Sequence, residues 1–531
     1  MELTALIDAL ARPDAYPHPV EMVQVQQTHV SVVFLAGAYA YKVKKPVDLG
    51  FLDFRTPEQR RHFCGEEIRL NRRLAPAVYL GAVPVTCSGQ AIRMEGDGEV
   101  IDWAVKMRRL SEAATLKARL RSRSVGVGPI ESLARKIARF HARAEAGGHV
   151  ASFGRFEVVA GNARENFSQS SAHVGSAVSP GVFARLKTLT DVRLDHLRPL
   201  IQDRANRGVP RDTHGDLHLD HVYLFPDNEP PDDLVIIDCI EFNERFRYDD
   251  PVADMAFLVM DLVFHGRRDL AEAFATAYFQ ASGDQEGRGL LPFYTAYRAA
   301  VRAKVEGFKL FATEMAEPDR AAALVQARAH WLLALGELEG PGRRPCLVLV
   351  GGLPGTGKST LARGLAERAG FSVIRSDVVR QELAGASGSS RIPSPFGEGL
   401  YSPEWTGRTY AECLRRAEAL LFAGGRVIID ATFREERARQ RFLEAAAGWG
   451  VPGLVLLCQA DPARVRARLE SRRDDASDAD WSVHVQLAQR WEGPGPVTRP
   501  CVRNVSTAGS REQTLSRAVE ALRESRLSGP A

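Results

Sequence analysis

Residues 351–360 read GGLPGTGKST, between an apolar run, CLVLV at 346–350, and a helical pattern that starts near Lys358. The stretch fits G-x-x-x-x-G-K-[ST] through Gly352, Gly357, Lys358 and Ser359, with Gly355 and Thr360 completing the loop. Strand, glycine-rich turn and helix in that order leave few folds open. The glycines let backbone N–H groups curl around phosphate oxygens, and the helix N-terminus adds a favourable partial charge. Lys358 would bring a compact point charge to the terminal phosphates, and Ser359 a hydroxyl to Mg²⁺. Four further apolar runs, in SVIRSD, RVIIDAT, GLVLLC and CVRNVS, alternate with helical segments. That alternation predicts a parallel α/β sheet over 346–531.

Composition sharpens the reading of Lys358. The chain has 70 basic residues, only 10 of them lysine, and Lys358 is the single lysine after residue 310. In a chain that defaults to arginine, a lysine marks a place where the planar guanidinium fork would serve poorly.

Three more features belong with this loop. In SDVVR, Asp377 would emerge at the carboxyl end of the second strand, where ligands bind in open α/β sheets, with Arg380 one helical turn on. A carboxylate there can take the proton of an acceptor hydroxyl, and the arginine can hold an anionic group; an N-cap aspartate with a surface arginine is the plainer alternative. Asp430, ending RVIID, suits Mg²⁺ binding through water. Arg464, Arg468 and Arg472 recur at four-residue spacing, as a solvated face or as a lid over ATP phosphates. On GxxxxGKS, Asp-x-x-Arg and the arginine-dense segment, residues 346–500 resemble the P-loop kinases of the polynucleotide kinase and gluconate kinase group. The resemblance implies Asp377 as general base, Arg380 as acceptor clamp, and Arg468 or Arg472 as the lid arginine. It leaves the acceptor open.

A second phosphate chemistry is written earlier in the chain. HGDLHLDH at 214–221 is followed by LVIID, ending at Asp238. The spacing is that of a kinase-fold catalytic loop and its metal-binding aspartate. Asp216 would orient and deprotonate an acceptor hydroxyl, His214 would brace the loop, and Asp238 would hold Mg²⁺. Period-two alternation in AYAYKVKK puts Lys42 and Lys44 on one strand face, with Tyr41 and Val43 on the other. TPEQ at 56–59 reads as a capping box that opens a helix, with Pro76 as its stop. On that helix Glu67 falls in a stripe with Phe63, Leu70 and Leu74, where an unpaired carboxylate would be costly. Glu67 is therefore the expected partner of Lys42 or Lys44. WAVKMRRL would be the hinge, its backbone near Lys106 and Met107 meeting adenine.

These residues resemble the aminoglycoside phosphotransferase and choline kinase-like family over roughly 25–335, and DDPVADMAFLVMDL matches that family's helix, with Asp254 as a structural anchor. The whole chain looks like bifunctional aminoglycoside phosphotransferase/ATP-binding proteins. One position departs: His221 stands where the family has a metal-binding Asn. An imidazole nitrogen is softer than an amide oxygen and less suited to Mg²⁺. Three readings stay open: His221 binds metal, with Mn²⁺ favoured; Asp220 takes over beside Asp238; or the lobe binds nucleotide without turnover.

The expected architecture is multidomain: an N-terminal α+β bilobal protein-kinase-like fold, lobes 1–110 and 111–338, then a linker at 339–345 in GELEGPGRRP, then an α/β parallel-sheet P-loop domain over 346–531. A net charge of +4 does not favour nucleic acid or an anionic membrane as an obligatory partner. Seven scattered cysteines without a C-x-x-C pair fit a reducing cytoplasm, and the N-terminus shows no signal peptide. The main expectation is a two-module ATP-dependent phosphotransferase using Mg²⁺ and acting on small-molecule hydroxyls, with a nucleic-acid end also open as acceptor. The alternatives are a kinase-like sensor regulating the P-loop module, and a mechanical ATPase. Oligomeric state is not legible.

Overall fold

The computed structural model describes residues 2–50, 52–311, 315–385, 398–471 and 479–529. By compactness the chain forms two units: Met1–Val159 with Leu197–Val263 and Arg267–Leu291, and Ala160–His196 with Phe264–Gly266 and Pro292–Ala531.

The first unit opens on a six-stranded antiparallel sheet. Its spatial order is Val23–Gln27, Ser31–Ala36, Tyr39–Lys44, Glu99–Arg108, Tyr79–Ser88, Ala91–Met94. The Tyr39–Lys44 strand separates two apolar layers, as its alternation predicts. Tyr41 and Val43 pack with Leu6, Leu10, Phe34 and Val85. Ala40 turns to the other face, among Cys64, Ile68, Tyr79 and Val105. Cys64 and Ile68 belong to the helix Pro57–Asn71, which the Thr56/Gln59 capping box starts, with Pro57 in its first turn. The helix ends at Asn71, earlier than the Pro76 stop, and Leu74 lies in the turn beyond it. After the sheet the unit is largely helical, through Val127–Arg143, Pro251–Phe264 and Arg268–Ser282. A short hairpin, Val222–Leu224 against Leu234–Ile236, interrupts the helices where the sequence pattern places a strand pair.

The second unit is built on a five-stranded parallel sheet in the order Ser372–Arg375, Arg426–Asp430, Cys346–Gly351, Gly453–Gln459, Val502–Ser506. All five predicted strands are present. Every residue of the central Cys346–Gly351 strand is buried, as in a sheet covered on both faces. The compact division does not follow the 339–345 boundary, because Pro292–Leu338 cluster with this sheet unit. Trp331, for example, packs within this unit on Phe167 and Phe183 at centroid distances of 6.2 and 5.8 Å. Residues 339–345 do mark the change of pattern, since one helix ends at Leu338 and the sheet begins at Cys346.

All seven cysteines are free. Among the described residues no helix is long and apolar enough to cross a membrane.

Candidate active sites

In the first unit, Lys42, Lys44 and Glu67 meet. The two lysines share the carboxylate: Lys42 Nζ lies 3.0 Å from Glu67 Oε1, and Lys44 Nζ lies 2.8 Å from Oε2. Lys42 also reaches Asp238 Oδ1 at 2.6 Å, and Lys44 pairs with Glu241. Burial opposes the charge on Lys42, but Asp238 and Glu67 hold its pKa well above the usual lysine value. Burial likewise opposes ionisation of Glu67, and Lys42 and Lys44 outweigh it, holding its pKa low. Glu241 goes the other way: burial raises its pKa despite Lys44. The sequence reading omits Glu241; its one signal was a carboxylate three residues past Asp238 in the run DCIEF.

The HGD turn is fixed from behind. Gly215 has φ +84°, and a Cβ there would stand 2.6 Å from the Phe246 carbonyl oxygen, so the turn requires glycine. The buried Asp254 carboxylate accepts from the backbone N–H of His214 at 3.3 Å and of Gly215 at 2.8 Å. His141 Nε2 lies 3.0 Å from the same carboxylate. Asp261 accepts from the Leu219 N–H at 3.0 Å. His214 ties the loop to the next segment. Its Nε2 donates to the Ile237 carbonyl at 2.9 Å, and its own carbonyl accepts from the Ile240 N–H at 3.1 Å. Burial lowers its pKa to about 4, which keeps the ring neutral near pH 7.

Asp216 Oδ2 lies 3.5 Å from His218 Nε2 and 3.7 Å from His221 Nδ1. The Asp216, His218 and His221 donor atoms all fall within 4.8 Å of one another. His221 Nδ1 is also 2.9 Å from the Asp216 carbonyl oxygen. A carbonyl only accepts, so Nδ1 carries the proton and Nε2 keeps its lone pair. That Nε2 faces Asp238 Oδ2 at 3.5 Å. Holding one ring N–H on a carbonyl is how proteins orient metal-binding histidines, with the other nitrogen left as the ligand. Asp220 is placed differently. Its carboxylate pairs with Lys117 at 2.8 Å and lies 3.7 Å from His218 Nδ1, whereas Asp216 lies at Nε2 of that ring. The structure thus brings His221 to Asp238, and sets Asp220 across the His218 ring from Asp216. His218, unassigned in the sequence reading, stands at the centre of this group.

Asp238 has φ +66°, a left-handed conformation uncommon outside glycine. Its N–H donates to the Tyr79 hydroxyl at 3.1 Å, and the Cys239 N–H donates to Asn71 Oδ1 at 2.8 Å. Burial works against its charge, yet the Lys42 ammonium beside it holds its pKa below the usual aspartate range. Met107 lies inside the sheet, in register with both Ala40 and Tyr79, and its side chain is buried. A strand residue flanked on both sides keeps its N–H and C=O within the sheet, so the side chain is what Met107 presents.

In the second unit, Gly352 and Gly357 take φ +145° and +90°. A Cβ on Gly352 would stand 2.6 Å from Thr356 Oγ1 and 2.9 Å from the Cys458 carbonyl oxygen. Gly357 caps the helix Lys358–Ala369, which carries Lys358, Ser359 and Thr360 in its first turn. Arg468 lies against the loop: Nη1 is 3.5 Å from the Gly355 carbonyl oxygen, and Nη2 donates to the Thr507 carbonyl at 2.8 Å. Arg472 lies outside the described residues.

Asp430 ends its strand beside the loop strand, in register with Val350. Burial pushes its pKa up, and Lys358 and Ser359 pull against that. Its Oδ1 is buried with no hydrogen-bond partner among the described residues. A buried carboxylate oxygen of this kind, near a serine hydroxyl, fits a hard divalent cation such as Mg²⁺. The imidazole in the N-terminal site fits Mg²⁺ less well and a transition ion better. Asp377 belongs to the first turn of the helix Ser376–Leu383, just past the strand end at Arg375. Its Oδ1 accepts from Arg380 Nη1 at 2.8 Å. Arg380 is buried, its guanidinium 4.7 Å from the Tyr401 ring centroid, and so is not the surface arginine of the plainer reading.

Residues 54–291 match the family model described as the phosphotransferase enzyme family, and residues 347–494 match one described as an AAA domain. Uncharacterized proteins of Mycobacterium tuberculosis H37Rv and Mycobacterium bovis are each 35% identical over 509 residues, covering 95% of this chain and 96% of theirs. Among solved structures, a gluconokinase from Sinorhizobium meliloti 1021 is 17% identical, covering 34% of this chain and 93% of its own, with a TM-score of 0.26. A sugar kinase from Janibacter sp. HTCC2649 is 18% identical, covering 35% and 99%, with a TM-score of 0.27.

Proposed function

The chain belongs to the same family as the two mycobacterial proteins and joins a phosphotransferase-enzyme-family module to an AAA-type kinase module; from that premise we propose a two-module, cytoplasmic kinase of small-molecule hydroxyl groups, its C-terminal module the principal catalyst. The observation that carries this reading is the loop Gly352–Ser359 beside the unpartnered Asp430 oxygen. Backbone N–H groups of the loop and Lys358 bind the ATP phosphates. Ser359 and Asp430 hold Mg²⁺, which when bound supplies charge neutralisation across those phosphates. Asp377 accepts the acceptor's hydroxyl proton, and Arg380 orients Asp377 and meets an anionic group on the acceptor. Arg468 closes on the loop as the lid cation. A nucleic-acid end remains the runner-up acceptor.

The first module, with lobes 1–110 and 111–338 of a protein-kinase-like fold, is the second phosphotransferase. Glu67 positions Lys42 for nucleotide phosphates, Asp216 acts as base, and Asp238 with His221 holds the metal, with Mn²⁺ preferred. A sensor that binds nucleotide without turnover is the second reading of this module, and the Lys42–Asp238 pair favours it, because the ammonium engages the aspartate that turnover needs for its metal.

The test uses the full chain and ATP turnover over a panel of hydroxyl compounds, with nucleotide binding measured in parallel. Lys358→Ala is expected to remove the main activity. Activity surviving intact in that variant overturns the primary assignment. If Asp216→Ala changes no activity while two nucleotides still bind per chain, the first module is a sensor.

A further inference from the structure

The helix Val127–Arg143 carries Arg135, Arg139 and Arg143 at successive four-residue steps, with Lys136 beside them. All four line one cavity of about 400 Å³ within the first unit, together with Arg73. Against these five cations the lining holds one carboxylate, Asp233, and from behind the wall the Asp212 carboxylate pairs with Arg73 at 3.3 Å. None of the proposed catalytic, nucleotide or metal groups lines this cavity.

Like charges at four-residue spacing destabilise a helix unless something relieves them. Arg135 faces Glu131 at 3.7 Å, while Arg139 and Arg143 form no ion pair among the described residues. Convex cationic faces are relieved by water. These three arginines are solvent-exposed as well, but they border a concave wall, which concentrates their field on whatever enters. Four helical residues advance about 6 Å, so the three arginines spread over about 12 Å. A single small anion would leave part of that row unanswered, whereas a compound with several phosphate groups would meet it. Arginine's planar fork matches phosphate oxygens two at a time.

Two of the lining cations are also bonded to the N-terminal site. Arg73 Nη1 donates to the Asp212 carbonyl at 2.8 Å, and Nη2 to the Thr213 carbonyl at 3.0 Å, immediately before His214. Its Nη2 also lies 3.3 Å from Cys239 Sγ, next to Asp238. Lys136 Nζ donates to the Pro231 carbonyl at 2.9 Å and to the Leu234 carbonyl at the start of the strand that leads to Asp238. An anion that draws on Arg73 and Lys136 competes for bonds that set both catalytic segments.

We propose that this cavity binds a small compound bearing several phosphate groups, and that its occupancy is transmitted to the HGD turn and to Asp238 through Arg73 and Lys136. The site is separate from the phosphate loop at 352–359 and stands whichever acceptor the enzyme uses.

Hydrogen exchange on the full chain, with tripolyphosphate as the probe, tests both halves. Exchange is expected to slow over 127–144 and 228–236, and to change over 212–216 and 237–240. Arg139→Ala with Arg143→Ala should weaken the protection of 127–144 and 228–236 at least tenfold in probe concentration. Any protection over 352–360 should stay as it was. No slowing over 127–144 at millimolar probe overturns the site, as does protection that survives the double variant. Equal protection by sulfate at matched ionic strength overturns it too, as general screening. Binding that leaves 212–216 and 237–240 unmoved overturns the transmission.

Discussion

Removing the Glu67 carboxylate tests the charge network that organises the N-terminal site. Glu67 is fully buried and bonded to the part-buried Lys42 at 3.0 Å and the buried Lys44 at 2.8 Å. Glu67→Ala leaves both ammonium groups in place with one carboxylate fewer. Deleting one partner of a buried ion pair costs about 3–5 kcal/mol. Lys42 keeps Asp238 and Lys44 keeps Glu241, so the low end, about 3 kcal/mol, applies here. For a unit of roughly 250 residues each kcal/mol moves Tm by about 2–4 °C, giving a loss of about 6–12 °C. The neighbouring Glu66 supplies the control. It pairs with Arg69 at 2.7 Å near the surface, and Glu66→Ala should cost about 0.5 kcal/mol or less. Calorimetry of the full-length variants reads the difference, and equal shifts for the two would refute the reasoning. Acid supplies a sign check. Glu67 has a folded pKa below its ordinary 4.5, so its stabilisation is complete above that value and is lost as pH falls through the lower folded pKa. The gap between wild type and Glu67→Ala should therefore close as pH drops below about 4.5, and a gap that widens would contradict the assignment.

Three other outcomes are expected. Gly352→Ala forces a Cβ to 2.6 Å from Thr356 Oγ1 and 2.9 Å from the Cys458 carbonyl; isothermal titration should show nucleotide binding at the loop weakened at least tenfold, consistent with about 1–3 kcal/mol of overpacking. His221→Asn should weaken Mn²⁺ binding, followed by electron paramagnetic resonance, and raise Mg²⁺-supported turnover at the N-terminal site; unchanged metal dependence would remove His221 from the ligand set. Asp254→Ala strips the acceptor from the His214 and Gly215 N–H groups and should cost about 2–4 kcal/mol in urea unfolding, whereas a loss under about 1 kcal/mol would mean the turn is held by other bonds.

The parts of this protein legible in its sequence are those set by near neighbours. The apolar runs of the parallel sheet, the Thr56–Gln59 capping box, the glycine pattern at 352–357 and the lysine face of AYAYKVKK each depend on residues a few positions apart. Glu67 could be singled out because a carboxylate inside an apolar helical stripe requires a partner. Which lysine it takes was not legible, and the structure shows both. Lys42 meets Asp238 across 196 residues and Lys44 meets Glu241 across 197. No local period encodes such a pair. It exists only once sheet, helix and hairpin have closed on one another. The same holds for Lys117 drawing Asp220 aside, for His218 standing between two aspartates, and for residues 292–338 clustering, together with 160–196, in the unit of the parallel sheet. Local chemistry dictated the elements and their faces; burial, which forces each charge to find a partner wherever the chain brings one, decided the site.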